Sequence, residues 1–285
     1  MVTVSVTSLG GTMPAEQPFS ESFSAGVREL EEAIEAYKGV QDSEQYRAQT
    51  LYLERLTHDF IAGVRVARFT FTRYPDGHNW VLQTFIGDFL ESALSVKALA
   101  TEGIFNSCRR ELRYMIEAAV KYVYIDQQFP GNAPVLDRLA LLDNTSKLPR
   151  SSVASMDQLT LRNLTDKEAL RNAVHSAFGA LSGYTHLSRI QLNERMRRAE
   201  RGEYTGFESA KTLEAFNRVA FQVYDVVLAL IFEGIGPSFT GDLFIQVLDS
   251  RPEWRYHKGR FVAEVSRGFD YKEERQLGKQ GGATI

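Results

Sequence analysis

The chain has 285 residues, of which 44% are hydrophobic and 24% are charged, which is typical of a globular protein with one large or two modest domains. Its formal net charge of -3 excludes an overall field that would draw it onto nucleic acid or an anionic membrane, so any such binding must be local. The single cysteine, Cys108, excludes an internal disulfide and a cysteine-based zinc site, and it favours a reducing, cytoplasmic compartment.

The N-terminal part of the chain reads as a polar arm followed by a helix. Residues 1–18 are rich in Ser, Thr, Gly and Pro and lack the apolar run of a signal peptide, which predicts a flexible, disordered arm. Between residues 20 and 39, apolar residues recur every three to four positions, which predicts a helix with glutamates on its far face. These apolar residues are Phe23, Val27, Leu30, Ile34 and Tyr37.

Two further helices are predicted before the centre of the chain. One starts near Asp42 or Ser43 and runs past Thr70, where β-branched and aromatic residues make its end ambiguous. The sequence PDGHN at 75–79 predicts a turn, because proline presets φ and Asp-Gly tolerates positive φ. The next helix covers residues 80–99 and is apolar on most sides, but no segment has 18 uninterrupted apolar residues, so no membrane span is predicted.

The strongest helical period lies in residues 104–129, and the rest of the chain is expected to pack around it. One face is apolar and predicts core, through Leu112, Met115, Ile116, Ala119, Val120 and Val123. The opposite face carries charges and is expected to be a solvated flank. In it, Arg113 with Glu117 and Glu117 with Lys121 have the i, i+4 spacing of helical ion pairs.

Beyond the central helix the pattern is more mixed. A short helix is predicted over 135–142, then a long loop over 144–165 that contains one helical turn and is either functional or mobile. A helix follows from Asp166, with a break expected near Gly183, and the charged run 194–203 predicts a solvated helix end. Residues 209–232 predict a second core helix, 240–248 a last one, and the stretch around Lys258 two short extended pieces.

These patterns together predict an all-α fold. We expect a helical bundle whose core is made by residues 80–99, 104–129 and 209–232, with a disordered N-terminal arm and a small extended C-terminal segment. Residues 19–271 form one predicted helical domain, and the polar residues 272–285 a flexible tail. No internal repeat or composition shift divides the chain.

Several kinds of chemistry lack their usual motifs in this sequence. There is no HExxH pair, no phosphate-binding GxxxxGK[ST] loop, no GxGxxG and no GxSxG elbow, so neither a metal nor a cofactor is predicted. One polar cluster remains, made of Arg171, His175, Ser182, Tyr184, His186 and Arg189. If the helix were continuous, Arg171, His175 and His186 would share one stripe. The alternative is that both histidines simply bond backbone or solvent at helix ends.

The helix RRELRYMIEAAVKYVY, followed downstream by LSGYTHLS, resembles the HEPN superfamily of helical proteins and its relatives. The resemblance covers residues 103–232. It implies a helical bundle, often dimeric, in prokaryotic stress, toxin or phage-defence systems, in which many active members are metal-independent ribonucleases. Active members separate an arginine and a histidine by four to six residues. Here Arg171 and His175 are separated by three, so this chain departs from the active signature.

Two functional hypotheses follow. The first is an interaction module, as a homodimer or with a partner protein or RNA, without membrane attachment. The alternative is a metal-independent ribonuclease, in which a histidine deprotonates a ribose 2′-hydroxyl and arginines stabilise the phosphate. The candidate catalytic residues are His175, His186, Arg171 and Arg113. The candidate substrate-binding residues are Arg110, Tyr184, Ser188 and Arg189.

Overall fold

The computed structural model describes residues 19–143, 152–185, 188–201, 203, 208–236 and 240–269. Every regular element in these ranges is helical, which confirms the predicted all-α fold class. The arm predicted for 1–18 and the tail predicted for 272–285 lie outside the described residues.

The elements follow one another along the chain with short connections. The α-helices are α1 (Phe19–Asp42), α2 (Glu44–Phe71), α3 (Val81–Thr84), α4 (Ile86–Thr101), α5 (Phe105–Gln127), α6 (Val135–Asp143), α7 (Lys167–Ser182), α8 (Arg189–Ala199), α9 (Ala210–Ile235), α10 (Thr240–Phe244) and α11 (Arg260–Val265). Four 3₁₀ turns occupy Gly77–Asn79, Ser152–Gln158, Arg255–Lys258 and Ser266–Gly268, and a π-helical turn, Ile245–Asp249, continues α10.

The described residues fall into two compact units, of which residues 19–43 belong to the first and residues 44–269 to the second. The first unit contains α1. Three residues of its predicted apolar face are exposed: Phe23 at 65%, Val27 at 39% and Ile34 at 39%. The second unit contains α2–α11. A single domain over residues 19–271 stays a prediction.

Four helices make the core of the second unit. α9 packs against α2 and α5, while α4 packs against α5 and α2. The three predicted core segments are therefore confirmed, and α2 joins them through side chains such as Phe60, which stacks on Tyr224 of α9 at 4.3 Å between ring centroids. α2 and α9 approach closely at Gly63, where a Cβ would lie 2.8 Å from Leu228 Cδ2.

The helix predicted over 80–99 is broken at Phe85 into α3 and α4. A carboxylate from α5 contacts the start of α3: Asp126 accepts hydrogen bonds from the backbone N–H groups of Val81 and Leu82, both at 2.9 Å. Asp126 is in turn held by Arg138 of α6 at 2.9 Å, in an ion pair that is almost wholly buried. Since Asp126 satisfies N–H groups that open α3, it acts as a helix cap supplied by a distant part of the chain.

Two more buried carboxylates close turns in the same way, and both lie on α9. Asp225 accepts from the N–H groups of Phe261 and Val262 at 3.0 Å and so caps α11. Glu233 accepts from the N–H groups of Arg162 and Asn163 at 2.7 and 2.8 Å. Burial raises the pKa of both acids. Their oxygens nevertheless accept hydrogen bonds from backbone N–H groups, so both carboxylates stabilise the segments that they contact.

The loop predicted over 144–165 is more ordered than expected where the structure describes it. Residues 144–151 lie outside the described part, Ser152–Gln158 form a 3₁₀ turn, and the stretch that follows packs into the core. Leu159, Leu161 and Leu164 are all buried. These buried leucines and the hydrogen bonds to Glu233 hold the segment against the core, so it is irregular but ordered.

The extended C-terminal segment predicted around Lys258 is wrong. Its residues form the 3₁₀ turn Arg255–Lys258, α11 and the turn Ser266–Gly268. The aromatic residues that suggested strands are instead buried against α2. Trp254 Nε1 donates to the Asp59 carbonyl at 2.8 Å, and the Tyr256 hydroxyl donates to the Leu56 carbonyl at 3.3 Å. Burial against α2 and the Asp225 cap together favour helix here.

α9 is long and apolar enough to cross a membrane by length and composition alone. In this protein 72% of its most apolar window is buried inside the fold. Together with the buried acids Asp225 and Glu233, this burial is what the core helix of a globular protein shows.

Candidate functional site

Arg171 and His175 lie on one stripe of α7, as their spacing predicts, and this stripe faces the segment that precedes α7. His175 Nε2 lies 3.0 Å from Asp157 Oδ1, with the imidazole 41% exposed. Arg171 Nη2 donates to the Leu159 carbonyl at 3.3 Å, and Nη1 lies 3.8 Å from Glu168 Oε2. Both side chains therefore already have protein partners.

The continuous stripe from His175 to His186 does not form, because α7 ends at Ser182 and Gly183 is its C-cap. The predicted break near Gly183 is confirmed. His186 lies outside the described residues, so its place in a site stays a prediction. The physical reason for the break is local, since Tyr184 and Thr185 turn back to bond the carbonyls of Leu181 and Ser182.

Arg113 lies on the central helix α5 and connects it to α7. Its guanidinium group pairs with Glu117 at 2.8 Å, which confirms the predicted i, i+4 pair, and lies over the Phe178 ring at 4.6 Å from the centroid. Neither Arg113 nor Glu117 is a solvated residue, since both side chains are mostly buried. The expectation of a solvated flank is thus wrong at these positions, because α7 covers that side of α5.

Arg110 and Tyr184 come together, although 74 positions separate them in the sequence. Arg110 Nε donates to the Tyr184 carbonyl at 3.1 Å. The Tyr184 hydroxyl donates to Glu194 Oε2 on α8. Burial, with help from the Glu194 carboxylate, raises the pKa of Tyr184 to about 12, so its hydroxyl stays protonated and acts as a donor.

Two residues of this cluster were missed by sequence reasoning. Arg109 lies over the Tyr184 ring at 4.1 Å and pairs with Glu194 at 3.1 Å. In the sequence, Arg109 belongs to the flank assigned to solvent, and Glu194 opens a charged run that favours a solvated helix end. The i, i+4 rule pairs charges within one helix and gives no signal for a pair between two helices.

Ser188 and Arg189 occupy the start of α8. Ser188 is its N-cap, since Oγ accepts from the Gln191 N–H at 3.2 Å and donates to the Gly183 carbonyl. This capping role accounts for the serine. Arg189 is exposed at the first helical position.

The charged run at 194–203 is only partly solvated, which corrects the prediction. Arg198 is buried and forms an ion pair with the buried Glu208. Arg198 Nε lies 3.8 Å from Glu203 Oε2, beyond hydrogen-bond distance. Burial lowers the pKa of Arg198. The run therefore places a buried charge pair at the end of α8 instead of ending in solvent.

A cavity of about 240 Å³ lies between this ion pair and the start of α5. Its lining carries three arginines and one carboxylate, and so an excess of positive charge. The lining residues are Gly103, Ile104, Phe105, Asn106, Ser107, Arg110, Gln191, Arg195, Arg198 and Glu208. Of the predicted site residues, Arg110 alone belongs to this lining.

Two other cavities contain none of the predicted site residues. A cavity of about 300 Å³ lies beside Asp126, Arg138 and Glu233, which already satisfy one another or nearby backbone. A groove of about 530 Å³ lies between α7, α9 and α11 and is mainly apolar. Within the described ranges, no cluster of three His, Cys, Asp or Glu side chains could hold a metal ion.

No protein-family model, curated protein or solved structure matches this chain.

Proposed function

We propose that the protein is a non-catalytic, HEPN-like interaction module that works as a homodimer in a prokaryotic stress or phage-defence type of system. The observation that carries the proposal is α1, a 24-residue amphipathic helix on which several large apolar side chains are exposed. Phe23, Val27, Ile34 and Val40 are all exposed on it. An exposed apolar stripe on a long helix is typical of a surface that binds a partner.

The spacing of the stripe favours a second copy of α1 as that partner. Phe23, Val27, Leu30, Ile34 and Tyr37 alternate steps of four and three residues, which is the a/d pattern of a coiled coil. In this register Val27 and Ile34 take the a positions. β-branched residues at the a positions favour a parallel coiled coil of two helices.

The residues beside the stripe also suit a parallel pair. The flanking g positions hold Gly26 and Ala33, while the flanking e positions hold Glu31 and Lys38. In a parallel dimer each g position faces the next e position of the partner, so no like charges meet. The remaining glutamates lie on the outer face. The helix is about 36 Å long at 1.5 Å per residue. The interface between the apolar stripes of two α1 helices, here called the α1 seam, is therefore short, and the dimer should dissociate on dilution.

The contacts of the candidate catalytic residues support a non-catalytic role. Arg113 stacks on Phe178 and pairs with Glu117, while Arg171 bonds a backbone carbonyl. Guanidinium groups used in this way stabilise packing between α5, α7 and the segment before α7. A substrate phosphate would have to compete with these contacts.

Analytical ultracentrifugation over a range of concentrations tests the proposal. Wild type should change from monomer to dimer as concentration rises, and Ile34→Asp should remain monomeric, because a charge at an a position cannot be buried in the seam. Ala36→Asp is the matched control, since it adds the same charge on the outer face of α1. A monomeric wild type at high concentration, or equal loss of dimer in both variants, would rule out the α1 seam.

A metal-independent ribonuclease remains the second candidate, and one observation favours it. His175 is oriented by Asp157 at 3.0 Å and has Arg171 one turn away, which is the geometry of a base with an orienting carboxylate and a nearby cation. RNA cleavage in EDTA by wild type, His175→Ala and His186→Ala decides between the two. A general base contributes about 100-fold to 10,000-fold. His58→Ala is the control, as His58 is an exposed histidine on α2.

The rates then separate the candidates. Cleavage by wild type that falls in His175→Ala or His186→Ala but not in His58→Ala would establish the ribonuclease. No cleavage, or equal cleavage by all four proteins, supports the interaction module.

A further inference from the structure

The outer side of α2 carries positive charge that its own acids do not offset. Beyond its first turn, α2 contains two acids, Glu54 and Asp59. Glu54 pairs with Lys97 of α4 at 3.2 Å, and Asp59 pairs with Arg255 at 3.0 Å. Both acids are therefore neutralised by cations from other parts of the chain, and the arginines of α2 keep their charge.

Three of these arginines, Arg55, Arg65 and Arg68, are exposed and form no ion pair with any residue in the described ranges. The positions of Arg55, Ala62, Arg65 and Phe69 are seven, three and four residues apart, so they lie along one side of the helix. Arg68 is three residues from Arg65 and lies beside them. The Phe69 ring is 61% exposed. Arg55, Arg65, Arg68 and Phe69 are here called the basic face of α2.

The length of the basic face indicates the size of its ligand. Arg55 and Arg65 are ten residues apart, which is about 15 Å along the helix axis at 1.5 Å per residue. A single phosphate group is too small to lie against both, whereas a chain of phosphates binds each guanidinium group in turn. Helices that lie in a membrane surface present a continuous apolar side, which the basic face lacks. An extended polyanion is the ligand that matches it.

Phe69 distinguishes a nucleic acid from other polyanions. Proteins that bind single strands without sequence preference combine a row of cations with aromatic rings on which bases stack. Phe69 beside Arg65 and Arg68 supplies both features within about one helical turn. The bases of a duplex are paired and stacked on one another, so only an unpaired base can stack on this ring. An acidic protein segment would pair with the arginines but would offer no base to Phe69.

We propose that the basic face of α2 binds single-stranded nucleic acid. The phosphates lie on Arg55, Arg65 and Arg68, and one base stacks on Phe69. The formal net charge of -3 supplies no general attraction to a nucleic acid, so the affinity comes from this local face. The basic face contains no residue of α1, and the proposal therefore does not rest on the homodimer.

Fluorescence anisotropy tests the proposal on the full chain, with labelled single strands of about 16 nucleotides, RNA and DNA of the same sequence, as probes in EDTA. The protein should bind a single strand, and the affinity should fall as salt rises. Each phosphate contact contributes about 0.7 to the slope of log affinity against log salt. Arg55→Ala, Arg65→Ala and Arg68→Ala combined should lower that slope by about 2 and weaken binding by about tenfold or more.

Two kinds of control separate the basic face from general charge and from general hydrophobicity. Arg195→Ala, Arg197→Ala and Arg267→Ala combined remove the same charge from exposed positions outside the basic face, and should keep the wild-type slope. Phe69→Leu, which loses the ring, should weaken binding by about fivefold or more. Phe69→Tyr keeps the ring and should bind like wild type. A thermal melt verifies that each variant is folded.

Several results would overturn the proposal. One is no change in anisotropy with either strand at low salt. Another is an equal loss in the two triple variants, which would assign binding to total charge. Equal affinity of Phe69→Leu and wild type would remove the stacked base. Competition by poly-glutamate as strong as that by the unlabelled strand would show that the face takes any polyanion.

Discussion

α1 and α9 show the same apolar spacing of three to four residues but differ in what covers it. On α9, Leu228, Leu230 and Ile231 are fully buried. On α1, Phe23 and Ile34 are exposed. A helical period therefore predicts a helix and its apolar face, but it does not predict what covers that face.

The two helices also differ in the width of their apolar surface. From Val223 to Phe232 every residue of α9 is buried, so α9 requires neighbours on all sides and finds them in α2, α5 and α11. α1 has a narrow stripe beside a strongly acidic outer surface. One neighbouring helix is enough to cover such a stripe, and in the proposed homodimer a second copy of the chain would supply it.

The largest effect is expected in the core. Ile116 is fully buried on α5, so Ile116→Asp would place an unpaired charge where no partner is available. We expect the protein to lose its cooperative thermal transition. Circular dichroism during heating measures this. An unchanged melt would mean that the face of α5 assigned to the core is wrong.

A smaller but still large effect is expected for the buried cap of α11. Asp225→Ala leaves the N–H groups of Phe261 and Val262 without acceptors in the interior. Each unsatisfied group costs about 1–3 kcal/mol, so the free energy of unfolding should fall by about 2–6 kcal/mol. Urea denaturation measures the fall.

Asp166→Ala is the matched comparison for that cap. Asp166 caps α7 at the surface by accepting from the Ala169 N–H at 3.0 Å, and loss of an exposed cap costs about 1 kcal/mol. Equal losses in the two variants would show that burial of the Asp225 cap adds nothing.

A substitution on α1 should have little effect on the stability of the fold. Ile34→Asp changes an exposed side chain, and such changes usually alter the free energy of unfolding by about 0.5 kcal/mol or less. Urea denaturation at a concentration where wild type is monomeric checks this. If Ile34→Asp destabilised the monomer as Asp225→Ala does, α1 would belong to a core like that of α9.

The thiol of Cys108 should be unreactive in the native protein. Burial raises the pKa of its thiol to about 12, and the thiolate is the reactive form, so almost none of it is ionised at pH 8. Ellman's reagent should therefore react only after unfolding in guanidinium chloride. Fast reaction of the folded protein would show that the start of α5 opens to solvent.

Much of the fold could be predicted from the sequence because long helices carry their period locally. The core face of α5, the Arg113–Glu117 pair and the break after α7 all depend on neighbours within a few residues. The break at Phe85 and the helical turn at Arg255–Lys258 could not be predicted in this way. The turn at Arg255–Lys258 depends on burial against α2, which lies far away in the chain, and the Asp126 cap that opens α3 likewise comes from a distant helix.

The candidate site shows the same limit. The meeting of Arg110 with Tyr184 was expected only through the HEPN-like resemblance, and the Arg109–Glu194 pair gave no signal of its own. A charged residue that faces solvent and one that faces another helix have the same local sequence pattern. Glu208, the buried partner of Arg198, lies before the helical period of α9 begins, so its burial could not be predicted from periodicity.

Cysteine cross-linking tests most directly whether α1 is the dimer helix. In a parallel pair each a position faces its own copy, close enough for a disulfide, so Ile34→Cys should give a covalent dimer on a non-reducing gel under mild oxidation. Glu32→Cys, at an outer position, should stay monomeric, and Cys108 is too buried to interfere. Absence of a dimer with Ile34→Cys, or an equal yield with Glu32→Cys, would contradict the α1 seam and with it the proposed homodimeric module.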